Sequence, residues 1–260
     1  MHPIDSSLAR RSNVARKAIA YSLQGARTAR RLVARPQDFA HAPPIVANSI
    51  PKSGTHLLLQ IARALPRTRY YGSFLAWASS LDLRKRPERS IAFHLDRVVP
   101  GEAVGAHLHF SEATSAKLES INALHLMIVR DHEAIIRSEA HYLRHMNRFH
   151  RMAREFRGLD ERAALDRVRD GSPHHPELYP SFEERIRPYK GWRQDPRVVI
   201  VRYEDFEDPA AREQTVARIV QAWAGRAKGA GSLDLDACTR HALASIAPER
   251  SHTYTGGRDQ

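Results

Sequence analysis

The sequence predicts one α/β domain on a doubly wound, mainly parallel sheet, preceded by a basic helical arm. Three observations carry that expectation. Short apolar runs recur between residues 44 and 201, and they are continuous, not alternating, which is the pattern of strands buried on both faces of a parallel sheet. Segments with helical spacing of apolar residues separate these runs. The length of 260 residues, 42% of them hydrophobic, suits one large domain and argues against wholesale disorder. The expected boundary puts residues 1–41 in the arm and residues 42–260 in the domain.

The elements follow in order. Residues 8–34 read as a basic helix with a thin apolar stripe of Val14, Ala18, Tyr21, Ala29 and Leu32, while Leu23 falls on the opposite side. Such an arm has two destinations: an anionic lipid surface, or its own domain or the second subunit of a homo-oligomer. Pro36 and Pro43-Pro44 end it. Residues 44–48 form a strand, and residues 55–65 a helix with Leu58, Ile61, Ala62 and Leu65 on one face. Strands are expected at residues 103–108, 123–129 and 198–201, with one long helix from Glu133 to about Phe156. A further helix spans residues 209–224, opened by the capping residue Asp208. The Gly- and Pro-punctuated stretch 157–196 reads as a lid or connector, and the aromatic segment 70–77 as a pocket wall or a core contribution.

The charge is lopsided, at +12. Residues 1–41 hold eight basic and two acidic side chains, so half of the excess lies in the arm. The longest apolar stretch there, Ala18 to Tyr21, is far short of the roughly 7–15 residues of a signal-peptide core. No apolar run approaches the ~20 residues that cross a bilayer. A cytoplasmic protein, at most peripheral at the inner membrane surface through its arm, is expected. The single cysteine, Cys238, rules out an internal disulfide framework.

The stretch that carries chemistry is Asn48-Ser49-Ile50-Pro51-Lys52-Ser53-Gly54-Thr55-His56, directly after a strand and opening a helix. Exposed backbone amides at the positive end of a helix dipole make an anion site. Lys52 adds a mobile cation, Ser53 and Thr55 add hydroxyl donors, and Gly54 permits close backbone approach. A phosphate or sulfate is the implied ligand. The nucleoside-triphosphate loop is a different pattern: it needs an upstream Gly and a Lys after the second Gly, whereas Lys52 precedes Gly54. No carboxylate that would hold magnesium follows a nearby apolar strand, so no metal is expected.

Here the chain resembles the sulfotransferase family that uses 3′-phosphoadenosine 5′-phosphosulfate (PAPS). Pro51-Lys52-Ser53-Gly54-Thr55 is similar to that family's 5′-phosphosulfate loop, to which His56 adds a neighbouring contact. Arg130-Asp131-His132-Glu133-Ala134-Ile135-Ile136-Arg137-Ser138 has the family's Arg and Ser at their separation, and the resemblance implies that Arg130 and Ser138 hold the 3′-phosphate. A guanidinium leaving a strand end is suited to that task. Tyr203, in Val201-Arg202-Tyr203-Glu204-Asp205, matches a tyrosine near the adenine. Thr253-Tyr254-Thr255-Gly256-Gly257-Arg258 looks like a reduced version of the Arg-Lys-Gly segment around the 3′-phosphate, with Gly257 as its glycine and Arg258 as a substitute cation. The resemblance implies a sheet of the P-loop nucleotide-kinase type, PAPS as cofactor with PAP as product, and no metal.

Sulfuryl transfer needs a cation at the leaving oxygen and a base for the acceptor proton. Lys52 is the expected cation. The resemblance points to His107 in Gly105-Ala106-His107-Leu108-His109 as the base, although Gly105 stands at a lysine position and His109 at a proline. His109, two residues on along the strand, and Glu112 remain alternatives. The acceptor class stays open among small molecules, glycans and lipids. Two other functions compete: an ATP- and Mg-dependent small-molecule kinase, and a basic nucleic-acid-binding protein. The latter lacks any helix-turn-helix, zinc-finger or RNA-binding signature, so no nucleic acid is expected as a partner.

Overall fold

Helix α1 (Asn13–Val33) and the short helix α2 (Pro36–His41) precede the first strand in the computed structural model, which describes residues 13–247. Then follow β1 (Ile45–Ser49), α3 (Thr55–Ala64), β2 (Arg69–Ala76), α4 (Glu88–Leu95), β3 (Glu102–His107), α5 (Glu112–Ser120), β4 (Leu124–Val129) and α6 (His132–His141). After a π-turn at Tyr142–Met146 come α7 (Ala153–Phe156), α8 (Glu161–Asp170), α9 (Phe182–Ile186) and a 3-10 stretch at Arg187–Arg193. The chain closes with β5 (Val198–Arg202), α10 (Pro209–Arg226) and α11 (Leu235–Ala244). Gly257 and Arg258, expected at the cofactor, lie outside the described residues.

The five strands form one sheet in the order β2-β3-β1-β4-β5, and every pairing is parallel. Burial on both faces explains the continuous apolar runs. Ile45 and Ala47 of β1 pack against Leu58, Ile61 and Ala62 of α3 and against Val216, Ile219 and Trp223 of α10. Val46 faces the other layer, with Val104, Met127, Ile91 and Leu95 of α4, and Trp192. Helices thus cover both faces. Asp208 caps α10 by accepting the Ala211 N–H at 2.7 Å, as its position predicts.

Two expectations are corrected and one is extended. The aromatic segment, expected as a pocket wall or a core contribution, does give Tyr71 and Leu75 to the core, and residues 69–76 are in addition the edge strand β2; its Gly72 and Ser73 interrupt the apolar run that would have announced it. The long helix after Glu133 stops at His141, where Asn147 N–H bonds Tyr142 O and winds the chain into a π-turn. The 157–196 stretch is no loose connector. Its α8 and α9 build a third core in which Phe156, Val168, Tyr179 and Phe182 pack on Ile135 and Ile136 of α6.

The arm packs on its own domain, one of the two expected destinations, but with a different face from the one expected. α1 packs along β2 through half-buried Ile19 and Leu23, while Ala18, Tyr21, Ala29 and Leu32 of the anticipated stripe face outward. The side chain of Val14 is outside what the structure describes. Gln24 Nε2 donates to Tyr71 O at 3.1 Å. Arg27 Nε donates at 2.8 Å to the wholly buried carboxylate of Glu102, which also accepts from Ser73 Oγ and Val99 N–H. A buried charge needs such partners, so the sheet edge and the arm are tied by one carboxylate.

Arg27→Met would leave that carboxylate buried with its countercharge removed. The expected loss is about 3 kcal/mol in denaturant unfolding. Adding Glu102→Gln should recover part of it, whereas an unchanged midpoint for Arg27→Met would show that the arm does not load the fold.

Candidate active site

All strands run in the same direction, so their C-terminal ends meet at one edge. From central β1 the chain departs to β2 and β3 on one side and to β4 and β5 on the other, which opens a crevice at that edge. A cavity of about 610 Å³ occupies it. Its wall includes Lys52, Gly54, Thr55 and His56 of the loop after β1, His107 and His109 at the end of β3, Arg130 after β4, Ser138 of α6 and Tyr203 after β5. Residues from five chain segments therefore share one chamber.

The loop after β1 is shaped by two left-handed residues, Lys52 (φ 69°) and Gly54 (φ 103°). The first helical bond of α3 is Leu58 N–H to Gly54 O at 3.1 Å, which leaves the earlier amides of its first turn without backbone acceptors. Gly54 has a second reason to be glycine: a Cβ there would lie 2.6 Å from the Tyr203 ring. The Lys52 ammonium sits 4.2 Å from the Tyr142 ring centroid. Burial, partly offset by Glu139 and reinforced by Arg130, lowers its pKa to about 8. Arg130 lies over the Tyr203 ring at 4.1 Å and donates to Lys52 O at 3.3 Å. Ser53 is turned into the protein: it is fully buried and off the cavity wall, with an Oγ that has no hydrogen-bond partner among the described residues.

His107 is oriented from behind. Its Nδ1 is 2.9 Å from Ser49 O, so the ring proton is donated there and Nε2 keeps its lone pair. Ser49 Oγ is 3.2 Å from the same nitrogen and 2.5 Å from Thr55 Oγ1, linking the histidine to the first turn of α3. The Phe74 ring packs edge-on at 5.0 Å. Burial foremost, with a contribution from Lys52, pushes the His107 pKa down to about 4 despite the Ser49 hydrogen bond. His109 stacks on Trp77 at 5.3 Å and meets Tyr189 edge-on at 4.8 Å. Its pKa is also lowered to about 4, mainly by burial and then by Lys85. Glu112 stands apart from these groups: it opens α5, its side chain is 83% exposed, and it lies 3.7 Å from Arg197.

Other contributors gave little sequence signal. Asn48, wholly buried, accepts from Ser49 N–H (2.9 Å) and Leu108 N–H (2.7 Å) through Oδ1, and its Nδ2 donates to Leu108 O (3.1 Å). It thereby holds the exit of β3, with His107 and His109 on either side of Leu108. Phe74 explains Gly105, since a Cβ at that position would lie 2.8 Å from its ring. Among the described residues no group of three or more His, Cys, Asp or Glu side chains is arranged to hold a metal ion.

No protein-family model matches the chain, and no curated protein is similar to it. Solved structures are. The crystal structure of mouse sulfotransferase SULT7A1 complexed with PAP superposes with a TM-score of 0.52 at 18% identity, over 80% of this chain. The likeness is one of fold. This chain spans 65% of that structure's length. The five-stranded parallel sheet wrapped by helices is thus the α/β fold of sulfotransferases, in agreement with the expected fold class.

Two outcomes follow from the site's physics. His107, His109 and His150 have pKa values lowered to about 4 and His125 to about 3, in each case chiefly by burial, against about 6.5 in an unfolded chain. The unfolded chain therefore binds more protons between pH 6.5 and 4, and stability, fully present above pH 6.5, falls as pH drops through that window. The melting temperature should decline steadily as pH drops below 6.5, and Lys52, with its pKa lowered to about 8, adds a separate decline as pH drops from about 10 through 8; a rise on acidification to pH 5 would contradict this. Gly54→Ala should cost about 1–3 kcal/mol by forcing a side chain into positive φ and the Tyr203 ring. Denaturant unfolding of Gly54→Ala beside Gly54→Ala/Tyr203→Ala separates the two causes.

Proposed function

We propose that the protein is a sulfotransferase that moves the sulfuryl group of PAPS to a hydroxyl or amine. One observation supports the reading: the Lys52 loop with the α3 N-terminus, and the Arg130 and Ser138 side chains, both suited to anions, line the same cavity as a histidine whose Nε2 keeps its lone pair. The residues fit a nucleotide phosphorylated at both 5′ and 3′ positions. The donor set is cationic and hydroxylic, and the Gly54 surface is one that a Cβ would fill.

When bound, PAPS supplies the sulfur electrophile: its S–O bond to the 5′-phosphate breaks as the acceptor atom bonds to sulfur, and PAP departs. Lys52 and the first-turn amides of α3 offset the charge that grows on the leaving oxygen. Arg130 and Ser138 hold the 3′-phosphate, and Tyr203, under the Arg130 guanidinium, borders the adenine. His107 takes the acceptor proton at Nε2 while Ser49 O holds the opposite ring proton, so the base keeps one tautomer. Its lowered pKa keeps the imidazole neutral at pH 7. A bound polyanion would raise that pKa toward a value suited to a base. His109, stacked between Trp77 and Tyr189, shapes the acceptor side.

The kinase reading fares less well, because Lys52 lies ahead of Gly54 in the loop. The test is a thermal shift in the presence of EDTA. PAP at a hundredfold excess over its Kd should add about 2.7 kcal/mol of stability. His107→Ala should keep that shift yet lower turnover of labelled PAPS by about 10²–10⁴-fold. Stabilisation by ATP with Mg²⁺ but not by PAP would overturn the proposal.

A further inference from the structure

Eight large apolar side chains are exposed among the described residues. Four of them border the cavity just described: Phe74 on its wall, Met146 at the end of the π-turn, and Leu81 and Phe149 on two loops beside it. The first loop, residues 78–85, is closed by an antiparallel bridge between Ala78 and Lys85 and carries Leu81 near its tip, 63% exposed. The second follows the π-turn and carries Phe149, 62% exposed, under the Arg148 guanidinium at 4.8 Å. Arg151 N–H donates to Ser80 O at 2.9 Å and ties the loops together. Their inward residues, Ser79, Ser80 and Leu83 on one side and Tyr142 and His150 on the other, line the cavity, so the exposed tips form its outer rim.

The charge of this rim is one-sided. Residues 78–86 and 144–154 contain seven Arg or Lys and a single acid, Asp82. Asp82 is occupied in the turn itself, accepting the Arg84 N–H at 3.1 Å. Apolar tips clustered at one rim among arginines suit the headgroup region of an anionic bilayer, where apolar side chains enter and basic ones pair with phosphates.

We infer that this rim docks the protein on an anionic lipid surface, with the cavity mouth facing the membrane. The acceptor class this orientation serves is an amphiphile whose hydroxyl or amine reaches His107 from the lipid layer. That second statement rests on the sulfotransferase reading; the docking does not. No helix among the described residues is long and apolar enough to cross a membrane, so attachment would be peripheral.

Sedimentation of the full chain with phosphatidylglycerol-containing or pure phosphatidylcholine vesicles tests it. Binding should occur only with the former and weaken as salt is raised. Leu81→Glu/Phe149→Glu should weaken partition by roughly tenfold or more while leaving the melting temperature and the response to PAP unchanged. Tyr21→Ser/Leu32→Ser, on the outward face of α1, should bind like the unaltered protein. The proposal is overturned if anionic vesicles are not bound, if the α1 variant loses binding and the rim variant keeps it, or if a soluble acidic polysaccharide is bound in place of vesicles. Vesicle binding without PAP stabilisation would sink the sulfotransferase reading and leave the docking standing.

Discussion

The buried side-chain amide of Asn48 joins the central strand to the exit of its neighbour, and the site depends on that joint. Parallel strands end together, but nothing in a ladder dictates how the chain leaves each strand. Here one amide accepts two backbone protons, donates to Leu108 O, and lies 3.2 Å from His125 Nε2. Trp192 Nε1 adds a donor to the same carbonyl at 2.7 Å. Leu108 is thereby pinned inward, and the two-residue period of an extended chain turns His107 and His109 toward the cavity. A buried network whose members are all satisfied specifies one arrangement, because every alternative leaves a polar group unpaired.

Positive charge is concentrated in the chamber and held down by burial. Lys52, Arg130 and depressed histidines are crowded together, and burial disfavours each additional positive charge. Under the proposed function a bound polyanion would offset that cost, which would couple ligand binding to the protonation of Lys52 and His107. Glycine is used where ring and backbone must nearly touch, at Gly54 under Tyr203 and at Gly105 under Phe74. Both contacts shape the walls against which a nucleotide and an acceptor would rest.

Much of this was legible in the sequence where one interaction type dominates. Strands β1, β3, β4 and β5 announce themselves because burial on two faces demands unbroken apolar runs. The loop after β1 announces itself as a strand-to-helix turn, because Gly54 directly precedes the helix start, and the proposed anion site is built on that turn. Edge strand β2 was hidden, since one of its sides meets α1 and its Tyr, Gly and Ser residues carry no clear period. The end of α6 was hidden too, because a π-turn follows from tertiary demands rather than propensity. The outward stripe of α1 misled for a related reason: the inward face is held by Arg27 and Glu102, an ion pair that a hydrophobic pattern cannot reveal. The role of Asn48 exists only through residues 60 and 77 positions away.

The basic character of the chain is therefore divided among an arm tied by a buried carboxylate, a cavity lined by Lys52 and Arg130, and a cationic rim. The central claim is that two anion-binding elements serve a single nucleotide. Titration calorimetry of PAP against adenosine 5′-monophosphate and adenosine 3′-monophosphate addresses it most directly. If both elements grip one ligand, PAP should bind about 10- to 150-fold tighter than either monophosphate, each charge-assisted phosphate site adding roughly 1.5–3 kcal/mol. Equal affinities for PAP and one monophosphate would mean that only one element binds, and would contradict the account.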